Sequence, residues 1–101
     1  MFEVYPLDSG IRLVGRFDAA ATAHAEPYFE ELVGHVDIDM LALDYISSAG
    51  LGVMLKSHKR LVGCGGGLRL IQVNPHILEI LHYSGFDMLF EVLPADEWGP
   101  I

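Results

Sequence analysis

The sequence predicts an α/β fold, a single domain with a mixed β-sheet of four to five strands packed with three to four helices. The first 17 residues hold two strand-like stretches separated by the turn triplet Asp8-Ser9-Gly10, which is typical of an antiparallel hairpin. From residue 36 onward, strand and helix patterns alternate, which implies parallel strands joined by right-handed crossovers. The length of 101 residues suits one domain, which we place at residues 1–93 with a C-terminal tail at 94–101.

The first part of the chain is predicted to contribute the hairpin and one helix. Residues 2–7 and 11–17 form the hairpin strands, and the second of these alternates apolar and polar side chains with a period of two. Asp18 is a good N-cap for the alanine-rich helix that follows. Pro27 lies inside that segment, so we expect either a kink or a helix that begins near Glu26.

A buried strand and an amphipathic helix follow, with two serines between them. The strand is predicted at residues 36–43, where an alternating start gives way to an apolar end. The helix is predicted at residues 51–62, where apolar residues recur at intervals of three and four. Its predicted buried stripe consists of Leu51, Met54, Leu55, His58, Leu61 and Val62. The opposite face carries Lys56, Lys59 and Arg60. These basic residues form either a solvated face or part of a docking surface.

The last third of the chain is predicted to hold one strand and one helix. Residues 63–67 are glycine-rich, but they follow a helix and lack the lysine of a phosphate-binding P-loop. We therefore interpret them as a helix end and a turn before a strand at residues 68–73. Asn74-Pro75 supplies an N-cap and a first helical residue for the next helix. Residues 86–93 then give a turn and a short strand.

Composition and charge exclude several classes of function. Fourteen acidic residues against six basic ones give a net charge of −8, so we expect no direct contact with nucleic acid. No apolar run approaches the ~18 residues of a membrane span, and the N-terminus lacks a signal-peptide pattern. The single Cys64 fits a reducing cytoplasm. The histidines show no metal-ligand spacing, so neither a metal nor another cofactor is expected.

The two serines at the strand-to-helix turn are the main candidate site. One interpretation is that Ser47 or Ser48 only caps the helix, which is a common role for serine. The other is that a hydroxyl held at the positive end of a helix carries a phosphate. A hydrolase's nucleophile elbow would need glycine where Ile46 stands, so we expect no enzymatic activity.

The string Tyr45-Ile46-Ser47-Ser48-Ala49-Gly50-Leu51 resembles the signature of the STAS domain family, in its anti-sigma factor antagonist (anti-anti-sigma factor) form. The usual family pattern is Ile-Asp-Ser-Ser-Gly-Leu, and its first serine is the phosphorylated residue. In this match the family's Asp falls on Ser47, the phosphoacceptor on Ser48 and the second serine on Ala49. The resemblance extends along nearly the whole chain through Gly15-Arg16-Phe17-Asp18, Gly66-Gly67-Leu68-Arg69-Leu70, Asn74-Pro75 and Ser84-Gly85-Phe86.

The resemblance implies a STAS-like fold and a partner-switching role in bacterial transcription control. The implied partner is an anti-sigma factor that is also a serine protein kinase of the histidine-kinase-like ATPase fold. It would bind the domain while Ser48 is unmodified and phosphorylate it there, with Ser47 as the second choice of acceptor. A PPM-type phosphatase would remove the phosphate. The alternative is the STAS subunit of an ABC-type lipid transport system, docked on its ATPase.

The expected partner surface surrounds the serine turn. It consists of Asp18, Ser47, Ser48, Ala49, Gly50, Leu51, Gly52 and Lys56. Asp18 is included because it follows the strand at residues 11–17 and should lie at the same end of the sheet as the serines. Capping of the first helix is the alternative role for its carboxylate.

Overall fold

A mixed β-sheet and three α-helices make up the computed structural model, which describes residues 1–95. The strands are β1 (Phe2–Leu7), β2 (Gly10–Phe17), β3 (His35–Asp39), β4 (Leu43–Ile46), β5 (Gly67–Val73) and β6 (Glu91–Pro94). The helices are α1 (Thr22–Glu30), α2 (Ser48–Gly63) and α3 (Pro75–Ser84), with short 3-10 turns at Ala19–Ala21 and Phe86–Met88. The predicted α/β fold class with a mixed sheet is confirmed.

The strand order is β1-β2-β3-β5-β6, and β4 pairs with β2 beyond the end of β3. β1 and β2 are antiparallel, as predicted for a hairpin, and the other pairings within residues 1–95 are parallel. β6 ends at Pro94, and the Ala95 N–H donates to the Val73 carbonyl oxygen at 2.8 Å. The rest of the predicted tail, residues 96–101, lies outside the described residues.

The prediction of one strand at residues 36–43 is wrong, because the chain forms two strands in this region. β3 pairs with the start of β2 and β4 pairs with its end, while residues 40–42 lie between them. Gly15 faces this step with a φ of +93°, a conformation that favours glycine. Its N–H donates to the Ala42 carbonyl oxygen at 3.0 Å. The described part of the sheet therefore has six strands instead of the predicted four to five.

The step between β3 and β4 is held by one amide side chain. The Asn74 Nδ2 group donates to the carbonyl oxygens of Met40, Leu41 and Leu43 at 3.1, 3.2 and 2.8 Å. The Asn74 Oδ1 atom accepts from the Ile77 N–H at 3.0 Å and thereby caps α3. We call this set of contacts the Asn74 clamp. It confirms the predicted N-cap and adds a function that the cap pattern alone does not indicate.

We expect Asn74→Asp to destabilise the fold although aspartate can still cap α3. The carboxylate retains an oxygen for the Ile77 N–H, but it cannot donate to the three carbonyl groups. Removing the donor from these carbonyl oxygens, two of which are part-buried, lowers the free energy of unfolding by about 1–3 kcal/mol, and by more beside a charge. Urea denaturation at pH 7 measures the loss, with Asn74→Ser as a control that keeps the cap and adds no charge. A wild-type transition for Asn74→Asp would contradict a stabilising role for the clamp.

The first helix begins later than its predicted cap suggests. The Asp18 Oδ1 atom accepts from the Ala21 N–H at 3.1 Å, so its carboxylate caps the 3-10 turn that precedes α1. α1 then starts at Thr22 and runs through Pro27. The alternative prediction of a helix that begins near Glu26 is therefore wrong.

The hydrophobic core lies between one face of the sheet and the helices. The largest side chains with no more than 1% exposure include Leu13, Phe17, Phe29, Ile38, Met40, Leu70, Ile77 and Leu81. On α2, the predicted stripe is confirmed at Leu51, Met54 and Leu61, which are buried. Val62 is 53% exposed, contrary to the prediction. A Cβ atom on Gly67 of β5 would lie 3.7 Å from a Val62 methyl group, but glycine has no side chain to cover the valine.

The opposite face of the sheet carries ion pairs. Asp37 and Arg69 are neighbours in the parallel register of β3 and β5. The Arg69 guanidinium donates to both Asp37 carboxylate oxygens, at 2.9 Å and 3.2 Å. These hydrogen bonds lower the pKa of Asp37 and raise the pKa of Arg69. A carboxyl group with a lowered pKa stabilises the fold at neutral pH and loses that contribution in acid.

We expect Arg69→Gln to reduce the acid dependence of stability. Above the unfolded pKa of aspartate, about 3.9, the wild type should be more stable than the variant. As the pH falls through the lowered folded pKa, Asp37 takes up a proton and the difference should close. Thermal melts between pH 7 and pH 2 measure this. Arg16→Gln is the matched control, because Arg16 lies over the Tyr45 ring at 4.5 Å and forms no ion pair within residues 1–95. A constant difference across this pH range would contradict the assignment.

Candidate functional site

The candidate site forms where β2 and β4 end side by side. Phe17 and Ile46 are register partners in these parallel strands. Asp18 and Ser47, which follow them, therefore lie at the same end of the sheet. The Phe17 carbonyl oxygen accepts from the Ser47 N–H at 2.9 Å and from the Ser47 hydroxyl at 3.3 Å. The predicted placement of Asp18 at the serine end of the sheet is confirmed.

Ser47 is the N-cap of α2. Its backbone is extended, with φ −90° and ψ 171°, and its Oγ accepts from the Gly50 N–H at 3.2 Å. Its carbonyl oxygen accepts from the Leu51 N–H at 2.9 Å, which starts the helix. The half-buried hydroxyl is therefore both a donor and an acceptor. The interpretation that one of the serines caps the helix therefore applies to Ser47. The helix itself starts at Ser48, earlier than the predicted start at residue 51.

Ser48 is the first residue of α2 and is exposed. Its hydroxyl forms no hydrogen bond within the described part of the chain. The hydroxyl therefore stands at the positive end of a 16-residue helix without a structural role of its own. Ala49 is also exposed and leaves the surroundings of the hydroxyl open. This arrangement permits modification of Ser48 without breaking an existing side-chain contact.

Two residues of the predicted partner surface lie beneath it. Leu51 is buried in the core, and Gly50 is buried against the end of β2. A Cβ atom on Gly50 would lie 2.8 Å from the Phe17 carbonyl oxygen and 3.1 Å from the Phe17 Cγ atom. Gly50 therefore allows α2 to approach β2 closely, and we assign both residues to shaping the turn. Gly52, two residues after Gly50, is exposed, and nothing lies within 4 Å of a Cβ placed there.

We expect Gly50→Ala and Gly52→Ala to shift stability in opposite directions. The first places a methyl group against backbone and should lower the free energy of unfolding by about 1–3 kcal/mol. The second adds a better helix former in open space and should raise it by up to about 1 kcal/mol. Guanidinium denaturation of both variants measures the two effects. Equal stability of the variants would contradict the close packing of α2 on Phe17.

Lys56 lies on the exposed face of α2, two turns beyond Ser48 and in line with Gly52. Lys59 is exposed on the same helix. Arg60 has a role that the sequence did not indicate. Its guanidinium donates to the carbonyl oxygens of Phe29 and Leu32 at 2.9 and 3.1 Å, and it thereby satisfies the C-terminal end of α1.

Two further features of residues 1–95 concern metal binding and membrane crossing. No group of three or more histidine, cysteine or acidic side chains within residues 1–95 is arranged to hold a metal ion. Among the same residues, none of the helices combines the length and the apolar character needed to cross a bilayer.

Comparison with known proteins assigns the family. The family model described as the STAS domain matches residues 3–96. The chain belongs to the STAS domain family. This STAS domain is 40% identical over 83 residues to a protein of Bordetella bronchiseptica named as a candidate anti-sigma factor antagonist, BtrV. The match covers 75% of this chain and 72% of BtrV.

Solved structures show the same fold. An anti-sigma factor antagonist from Mycobacterium paratuberculosis superimposes with a TM-score of 0.76 at 19% identity, over 96% of this STAS domain and 87% of that chain. The Bacillus cell fate determinant SpoIIAA in its phosphorylated form has a TM-score of 0.63 at 16% identity, over 97% of this chain and 96% of its own. Both similarities show that this chain shares the fold of those structures.

Proposed function

We propose that this STAS domain is an anti-sigma factor antagonist controlled by phosphorylation of Ser48. The observation that carries the proposal is the division of roles between the two serines. The Ser47 hydroxyl is half-buried and engaged with Phe17 and Gly50, whereas the Ser48 hydroxyl is exposed and unengaged within residues 1–95. The similarity to BtrV and to the anti-sigma F factor antagonist of Paenibacillus polymyxa, which is 28% identical over 89 residues, supports the same general role.

The proposed partner is an anti-sigma factor with serine kinase activity and a histidine-kinase-like ATPase fold. It transfers the γ-phosphoryl group of ATP to the Ser48 Oγ atom. The bond from that phosphorus to ADP breaks, the Oγ–P bond forms, and the hydroxyl proton leaves to a base of the kinase or to water. A PPM-type phosphatase restores the hydroxyl by hydrolysis and releases inorganic phosphate. The STAS domain supplies only the acceptor, so catalysis belongs to its partners.

Phosphorylation of Ser48 would change the surface and leave the fold intact. The phosphate adds about −1.5 to −2 charges at the start of α2, where the helix dipole stabilises negative charge. The exposed residues around it, Ala49, Gly52 and Lys56, are the proposed contact surface together with Asp18, while Ser47, Gly50 and Leu51 support the turn. We propose that the kinase binds this surface while Ser48 is unmodified. The added charge then causes release, because an unpaired charge inside an interface is strongly unfavourable.

We expect Ser48→Asp to fold normally and to lose partner binding. Its charge at the helix start should change the free energy of unfolding by no more than about 1 kcal/mol, in the stabilising direction. Affinity for the purified kinase from the same organism should fall more than about a hundredfold, the effect of about 3 kcal/mol. Ser48→Ala should bind without release when ATP is added. Thermal melts and titration calorimetry measure both properties.

Ser47→Ala is the matched control for the acceptor assignment. Loss of the cap should destabilise it by about 0.5–2 kcal/mol, yet the kinase should still modify Ser48, as peptide mass spectrometry can show. Modification that maps only to Ser47 would overturn the assignment. Wild-type affinity of Ser48→Asp for the kinase would overturn the phosphoswitch.

A further inference from the structure

A groove between α1 and α2 continues the exposed face on which Ser48 lies. It is lined by Glu26, Phe29, Glu30, Val53, Lys56, Ser57 and Arg60. Its volume is about 230 Å³, below the roughly 300–1,000 Å³ of most small-molecule sites. The groove is therefore suited to a single inserted side chain and not to a metabolite.

The floor of the groove is largely apolar, and side-chain hydrogen bonds link the two helices that form it. Phe29 and Ser57 are buried and Val53 is half-buried. Arg60 stabilises one end, because its guanidinium is bound to the Phe29 carbonyl oxygen at 2.9 Å and to that of Leu32 at 3.1 Å. The two helices are thus joined at the groove before any partner binds, and a partner would meet a preformed surface.

The rim of the groove carries opposite charges on its two sides. Glu26 and Glu30 lie on α1, and Lys56 lies on α2. Although the charges are opposite, no ion pair within 4.0 Å joins them in the described part of the chain. In addition, α2 contains no acidic residue from Ser48 to Gly63, in a chain whose net charge is −8. The surface is therefore acidic along α1 and basic along α2.

We propose that this groove receives an apolar side chain of the anti-sigma kinase, flanked by a basic residue that faces Glu26 and Glu30 and an acidic residue that faces Lys56. The proposal rests on the proposed function, because the occupant is the partner that also covers Ser48. Ser48, Gly52 and Lys56 lie one turn apart along one side of α2, and the ends of this row are about 12 Å apart by helix geometry. An interface of about 800 Å² on each partner spans this distance.

The groove anchors the partner independently of phosphate. Because Lys56 lies two turns from Ser48, the groove contacts contribute to binding whether or not the serine is modified. Because salt screens the charge pairs at the rim, we expect both the affinity for the partner and the association rate to fall as the ionic strength rises. Ser48 thus decides whether the partner stays bound, and the groove decides which partner is selected.

Charge reversals test the groove with matched controls. We expect Lys56→Glu and Glu30→Lys each to lower affinity for the purified kinase of the same organism at least tenfold in titration calorimetry. Two exposed residues outside the groove provide the controls, Lys59→Glu on α2 and Glu79→Lys on α3. Each control should lower affinity less than threefold. Circular dichroism melts establish that all four variants are folded.

The outcomes separate the groove from the phosphoswitch. If Ser48→Asp abolishes kinase binding while Lys56→Glu and Glu30→Lys match their controls, the groove inference is wrong and Lys56 is not part of the contact surface, while the proposed switch at Ser48 stands. If Lys59→Glu reduces affinity as much as Lys56→Glu, general electrostatics explains binding and the groove inference is also wrong. If sedimentation shows that Lys56→Glu dissociates a dimer of this chain without affecting the kinase, the occupant is a second copy. If the kinase does not bind the wild-type chain, both proposals fail.

Discussion

The Phe17 carbonyl oxygen is the contact on which the serine turn depends. It accepts both the N–H and the hydroxyl of Ser47, and it lies where a side chain on Gly50 would have to be. These contacts join the last residue of β2 to the first turn of α2. The position of Ser48 is thus fixed by its neighbours and not by its own hydroxyl. A residue placed in this way can change its charge without a compensating change in the packing beneath it.

The Asn74 clamp determines the shape of the strand that leads to this turn. The chain could otherwise continue β3 directly, because Met40 and Leu43 are as fully buried as ordinary strand residues. The clamp holds the carbonyl groups of the step, and the same side chain starts α3. The end of β4 and the start of α3 are therefore fixed together. Hydrogen bonds between residues that are distant in the sequence, more than hydrophobic burial, decide where the serine turn lies.

Hydrophobic periodicity was sufficient to predict the fold class, the hairpin and the inner face of α2. It could not reveal the step at residues 40–42, since the apolar sequence continues through it and the amide group that holds it belongs to Asn74, 31–34 positions further along the chain. It also could not choose between two adjacent serines as the cap, because that choice depends on the register of β4 against Phe17. Arg60 illustrates the same limit. The sequence indicated either a solvated face or a docking surface for this residue, whereas its guanidinium binds acceptors on and just beyond α1.

Ser47 occupies the position where the family pattern resembled by this chain has aspartate. A carboxylate there could accept from the Gly50 N–H, but it could not donate to the Phe17 carbonyl oxygen as the serine hydroxyl does. It would also place a negative charge next to Ser48, the proposed phosphoacceptor. With serine in this position, and with no acidic residue on α2, the proposed phosphate on Ser48 would be the only negatively charged group on that helix. The proposed phosphate would give a negative charge to a helix start that has no charged side chain from Ser48 to Leu55, and this is a large electrostatic difference for a partner to detect.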